Sequence, residues 1–243
     1  MDHFESLCLM DFEPTGHSKR PVCKDCLRPV VACWCSCLPE SRLPIHTNIL
    51  ILQHPYEESR KIRTARILEL ALAENRCRLV RGRKFNEQQC PDLIPILTGE
   101  DTYVLFPYHG AVPASECRPD YDDSSHRSRW LVVLDGTWTQ ARHMLTGSPL
   151  LFALKRVCLP PNPLTGEFDR SQFVRRQPFS EAVCTVEAVS RILDLWEPPD
   201  SSRPTDFYQS RLLRPLHRIL EVNLKCIRGC RRKVCDNTVL TCS

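Results

Sequence analysis

Glycine is scarce in this chain, 8 of 243 residues, and nowhere is it arranged as G-x-G-x-x-G. A Rossmann-type dinucleotide loop needs such glycines so that backbone can approach phosphate, so that class is disfavoured. No stretch reaches the roughly 18 apolar residues of a membrane-spanning helix. The opening "MDHFESLCLMDFEPTG" lacks the basic start and apolar centre of a secretory signal. Internal repeats and low-complexity tracts are absent as well. Together these absences predict a chain with no membrane contact, at work in the cytoplasm, the nucleus or both.

Enough apolar sequence is present to build a core. Hydrophobic residues make up 42% and charged residues 26%, well away from the composition of disordered chains. The formal charge of +4 is small because 33 Lys and Arg oppose 29 Asp and Glu. Arrangement therefore matters more than total. Arg60, Lys61, Arg63, Arg66, Arg76, Arg78, Arg81, Arg83 and Lys84 crowd residues 60–84, and Arg170, Arg175 and Arg176 surround Phe173. Such clusters can neutralise phosphates. Glu57, Glu58, Glu69 and Glu74 interleave with the first, which equally fits a solvated helix face.

Four segments read as strands bounded by Pro, Gly or polar residues: 47–53, 102–107, 130–135 and 152–159. Helices are expected over about 57–73, 181–196 and 205–222. The first puts Thr64, Ile67 or Leu68, and Ala71 or Leu72 on one side. The second carries a stripe of Ala182, Val186, Val189, Leu193 and Trp196, with Glu187 beside it. The third tolerates Pro215 only by kinking. Polar, Pro-rich stretches at 111–128 and 160–169 read as loops. The alternation of strands and helices predicts an α/β fold.

Fifteen cysteines are many for a reducing compartment, where disulfides are discouraged. In "CKDCLRPVVACWCSCLP", Cys23, Cys26, Cys33 and Cys35 have the spacing to surround one tetrahedral Zn²⁺ in a structural site. Cys37 is a fifth candidate, so spacing alone leaves one of Cys33, Cys35 and Cys37 redundant. Cys77, Cys90, Cys117, Cys158 and Cys184 lack ligand spacing and read as ordinary thiols.

"LVVLDGTWTQARHML" poses the central chemical question. A buried strand ends at Asp135, and Thr137 and Trp138 follow one glycine later where a helix should begin. In open α/β sheets, function gathers at strand C-terminal ends. Asp135 can serve as a general base or cap the helix. Trp138 can stack on a ring or pack with Ala141 and Leu145. His54 reads as a hydrogen-bonding loop residue.

Taken in order, the cysteine motif with "LRP" inside it and "LP" after it, then "HPYE", "DGTW", "VRRQP" and "CTVEA", resembles the DTW-domain family, the tRNA-uridine aminocarboxypropyltransferases. The resemblance spans about Cys23 to Pro215. It implies a SPOUT-like fold with a trefoil-knotted C-terminal half, an exception to the rule of unknotted chains, and S-adenosylmethionine bound in the knot. The implied reaction moves the donor's 3-amino-3-carboxypropyl group to N3 of a tRNA D-loop uridine, leaving methylthioadenosine.

Carried onto this sequence, the family's pattern assigns zinc to Cys23, Cys26, Cys33 and Cys35, leaving Cys37 out. It makes Asp135, Thr137 and Trp138 the catalytic candidates and puts Thr185 and Glu187 near the donor. Uridine N3 must lose a proton to become a nucleophile, which suits Asp135. A carboxylate such as Glu187 suits the donor's sulfonium. Arg60, Arg63, Arg175 and Arg176 are the candidate tRNA contacts. The expected organisation is a flexible N-terminus (1–20), zinc motif (21–43), catalytic domain (44–216) and a basic, Cys-containing tail (217–243) that departs from the family. A zinc-stapled RNA-binding module without turnover and an S-adenosylmethionine-dependent RNA methyltransferase are the competing classes, and neither would release methylthioadenosine.

Overall fold

A computed structural model of the chain describes residues 21–60, 63–118, 129–160 and 183–238, with side chains as far as residue 223. Six parallel strands form one sheet: β1 (Asn48–Gln53), β2 (Cys77–Arg81), β3 (Thr102–Leu105), β4 (Val112–Pro113), β5 (Trp130–Asp135) and β6 (Lys155–Cys158). Their order is β2-β1-β5-β3-β6-β4. All six residues of β1, the first five of which are an unbroken Asn-Ile-Leu-Ile-Leu run, are buried, as expected of a strand covered on both faces.

Side chains alternate between those faces. Ile49, Ile51, Leu131 and Val133 enter one core together with α1 (Thr64–Ala71), α5 (Thr185–Trp196) and the first turns of α6 (Phe207–Thr238). Leu50, Leu52, Val132 and Leu134 enter the other, closed by α2 (Ile94–Leu97), α3 (Trp138–Thr146) and α4 (Pro149–Ala153). By the same alternation Gln53 and Asp135 point toward the face of α5. That parity decides which helix can reach the end of β5.

The structure shortens several expected elements. Of the helix expected at 57–73, only Thr64–Ala71 is α-helical, because Pro55 opens a separate 3-10 turn over Pro55–Glu57. Residues 61–62 lie outside the described residues. Phe152 and Ala153 belong to a helix begun by Pro149 rather than to β6. Strand β2 was hidden by its sequence: Cys-Arg-Leu-Val-Arg sits at the sheet edge, partly exposed, and reads as a basic cluster. Val186, Val189, Leu193 and Trp196 are buried as the stripe predicts; Ala182 lies outside the described residues. Helix α6 continues through Pro215 to Thr238.

Helix α5 is fastened at its C-terminal end. Glu197, which follows it, is buried and accepts hydrogen bonds from the backbone N–H groups of His46 (2.7 Å) and Thr47 (2.9 Å), just before β1. Trp196 is fully buried, meets Tyr103 edge-on at 5.4 Å, and donates its indole N–H to the Ala114 carbonyl at 2.8 Å. Trp196→Ala should therefore cost about 3–5 kcal/mol, read as a lower urea midpoint, since it opens a cavity and strands a carbonyl.

Candidate active site

Parallel pairing sets Gln53 directly against Asp135 at the ends of β1 and β5. The Gln53 side-chain amide donates to Asp135 Oδ2 at 2.7 Å, and the Thr185 hydroxyl donates to Asp135 Oδ1 at 2.6 Å. Asp135 is 5% exposed. A buried carboxylate demands such donors, and these two fix its plane. Next door, burial first and then the Glu187 and Asp135 carboxylates push the Cys184 thiol up to about 12.

The cap on α3 is Thr137, not Asp135. Thr137 Oγ1 accepts from the Gln140 N–H at 3.3 Å, and the Gln140 side chain accepts from the Thr137 N–H at 2.8 Å, a reciprocal capping box. Asp135 is left to face Gln53 and Thr185. Gly136 lies between them with little room: a Cβ there would sit 3.2 Å from Gln140 Cβ and 3.4 Å from His54 Cβ. Trp138 turns to the other face, packing on Phe106 with ring centroids 5.3 Å apart, in the cluster that holds Ala141 and Leu145. The fold therefore brings Asp135 and Thr185 together, while Trp138 packs in the cluster on the other face. Glu187 stands in the first turn of α5.

Four of the N-terminal thiols converge. The sulfurs of Cys23, Cys26, Cys33 and Cys35 all lie within 4.8 Å of one another, with Cys23–Cys35 and Cys26–Cys33 each at 3.7 Å. A tetrahedral ZnS4 site with Zn–S near 2.3 Å has sulfur–sulfur edges of about 3.8 Å, so the donor set fits zinc. Cys37 is outside the group. Backbone N–H groups of Cys26 and Asp25 bring the Cys23 thiol down to about 7, while burial and the neighbouring sulfurs push Cys35 up. The turn that gathers Cys23 and Cys26 closes with Leu27 in the left-handed region (φ 58°) and with the Cys23 N–H bonded to the Arg28 carbonyl at 2.8 Å.

The sequence profile of the DTW domain matches residues 20–224. The chain belongs to the DTW domain family. It is 35% identical over 208 residues to the Drosophila melanogaster tRNA-uridine aminocarboxypropyltransferase 2, covering 85% of this chain and 76% of that protein. Likeness to the Macaca fascicularis protein of the same name is 29% over 224 residues, 92% and 70% of the two chains. The Arabidopsis thaliana tRNA-uridine aminocarboxypropyltransferase A is 31% identical over 206 residues, 78% and 77%. No solved structure matches.

Of the basic residues singled out in this DTW chain, Arg60 lies 3.5 Å from the buried Glu57 carboxylate, and Arg63 immediately precedes α1. Arg66 donates to the Asp25 carbonyl at 2.9 Å, tying α1 to the cysteine turn. Arg175 and Arg176 lie outside the described residues. His54 is buried, accepts from the Tyr56 N–H, and has its pKa lowered by burial and by the charge of Arg83. Gln53 and Gln140 were not foreseen. Gln140 was findable, since Thr-x-x-Gln before a helix spells a capping box; Gln53 shows only as a polar residue closing an apolar run. Thr137→Ala should lower stability by about 1 kcal/mol in thermal unfolding, with Thr137→Ser close to wild type.

Proposed function

We propose that this protein is a tRNA-uridine aminocarboxypropyltransferase, forming 3-(3-amino-3-carboxypropyl)uridine in the tRNA D-loop with S-adenosylmethionine as donor. The observation that carries this reading is the DTW match along nearly the whole described chain, shared with relatives that bear that enzyme's name. The buried carboxylate at the end of β5 supports it chemically. The donor supplies an electrophilic carbon attached to a sulfonium.

Asp135 is the base that takes the proton from uridine N3. Oδ2 accepts the Gln53 amide and Oδ1 the Thr185 hydroxyl, and a carboxylate so oriented is a natural general base for that proton. The new N3–carbon bond forms as the carbon–sulfur bond breaks, and methylthioadenosine leaves with the electron pair. Thr185 and Gln53 orient the base. Thr137 positions it through the cap, Trp138 offers a ring beside the junction, and Glu187 offsets positive charge on the donor. Arg60, Arg63, Arg175 and Arg176 contact tRNA phosphates.

The finer fold is SPOUT-like with a knotted C-terminal half, a reading supported by the parallel sheet and its strand order; residues 161–182, between β6 and α5, lie outside the described residues. A structural zinc held by Cys23, Cys26, Cys33 and Cys35 supplies folding free energy to the N-terminal turn. A reducing compartment, cytoplasmic or nuclear, keeps those thiols available as ligands.

Incubation with S-adenosylmethionine and unmodified tRNA should release methylthioadenosine and yield the modified uridine by mass spectrometry. Release of S-adenosylhomocysteine instead would mean methyl transfer, and tRNA retention without any product would mean a binding module. Asp135→Asn should fold and bind both substrates but turn over about 10²–10⁴-fold more slowly. Changing Cys23 and Cys26 together to Ser should remove about one zinc per chain and lower the melting temperature markedly; unchanged metal content by elemental analysis would refute the assignment.

A further inference from the structure

Beside the Asp135 junction, the same sheet edge carries a feature that the reaction chemistry does not use. The N–H of Gly82, one residue past β2, donates to the Gln53 carbonyl at 3.0 Å, and the His54 N–H donates to the Asp135 carbonyl at 2.8 Å. The turn after β2 is therefore fastened to the end of β1, and the turn after β1 to the end of β5. Tyr56 stands on the first turn, 59% exposed, with the Arg83 guanidinium over its ring at 5.0 Å and His54 against its edge at 5.1 Å. On the second turn, Arg81, Gly82, Arg83, Lys84, Gln89 and Cys90 line an open pocket of about 420 Å³, within the size range of ligand sites.

Gly82 shapes that pocket. A Cβ at this position would come within 2.9 Å of the ring of Phe85, which is fully buried and cannot retreat. The cations are also unevenly engaged. Arg81 pairs with Glu58 at 3.3 Å, both about half exposed, whereas Arg83 and Lys84 have no acidic partner among the described residues. Arg60 and Arg66 on the neighbouring segment already bind Glu57, Glu69 and the Asp25 carbonyl. An exposed ring next to two cations that lack an acidic partner is the pairing that single-stranded nucleic acid selects, base on ring and phosphate on cation.

We propose that Tyr56, Arg83 and Lys84 form a docking shelf for a nucleotide flanking the target uridine, the Tyr56 ring stacking on its base and the two cations holding its phosphate. This rests on the tRNA reading given above. The shelf is built on the turns after β1 and β2, at the same strand-end edge of the sheet as Asp135, and the nucleotide it holds is a neighbour of the one the carboxylate serves. Stacking there is indifferent to base identity, because every base has a π-face.

The test measures binding of an unmodified tRNA transcript across a salt series, alongside methylthioadenosine release. Tyr56→Ala should weaken binding about 5- to 150-fold, the range for losing one stacked base, and Tyr56→Phe should restore it. Arg83→Ala with Lys84→Ala should weaken binding and flatten the slope of log affinity against log salt by about 1.4–1.8, as expected for two lost phosphate contacts. S-adenosylmethionine affinity and melting temperature should not move, since all three groups are at the surface. Wild-type affinity and slope in these variants, with the wild-type enzyme turning over, would overturn the shelf and leave the transferase reading standing. Equal loss in Tyr56→Phe and Tyr56→Ala would overturn the stacking role. A wild-type protein that neither binds tRNA nor releases methylthioadenosine would overturn both readings.

Discussion

Everything at the candidate site depends on one register: β1 lies parallel to β5 with Gln53 opposite Asp135. Shifted by one residue, Asp135 would face Leu52, and a carboxylate 5% exposed would lose its amide donor. The register is enforced along the whole pair, where Ile49, Leu50, Ile51 and Leu52 meet Leu131, Val132, Val133 and Leu134 in turn. A slip would exchange the faces of all four apolar side chains of the strand that moved. The apolar run that makes the sheet therefore also holds the polar pair at its end.

The cysteine turn is an outlying piece secured to this frame. Trp34, between two of the cluster's sulfurs in sequence, is 2% exposed and belongs to the same core as Leu216 and Ile219 of α6. Arg66 on α1 holds the turn by its backbone, and the Leu43 N–H bonds to the Ala71 carbonyl at 2.7 Å. One indole and two hydrogen bonds thus join a segment with little regular structure to helices on one face.

Features that are local and periodic were legible in the sequence. Strands β1, β3 and β5, the buried stripe of α5 and the start of α3 could be read from residue order, whereas the spacing of the cysteines left one of Cys33, Cys35 and Cys37 redundant and only the family's pattern set Cys37 aside. Strand β2 was not, because an edge strand whose exposed residues are Arg78 and Arg81 has no apolar alternation to betray it. The choice between capping and chemistry for Asp135 also needed the fold. Sequence places Asp135 and Thr137 equally near the helix start, and only the capping geometry awards that task to Thr137. Gln53 and Thr185 are 82 and 50 residues from Asp135, and no local pattern reports a meeting across such separations.

Helix α5 runs against the strand direction, with Thr185 at the C-terminal edge of the sheet and Glu197 bonded to the backbone at the N-terminal edge. Twelve helical residues span about 18 Å and six strand residues about 20 Å, so the helix matches the strands it crosses. Anchored at both ends, it behaves as a strut whose length is set against the sheet. The carboxylate of Glu197 is then a distant abutment of the candidate site: one helix joins it to the Thr185 hydroxyl that holds Asp135.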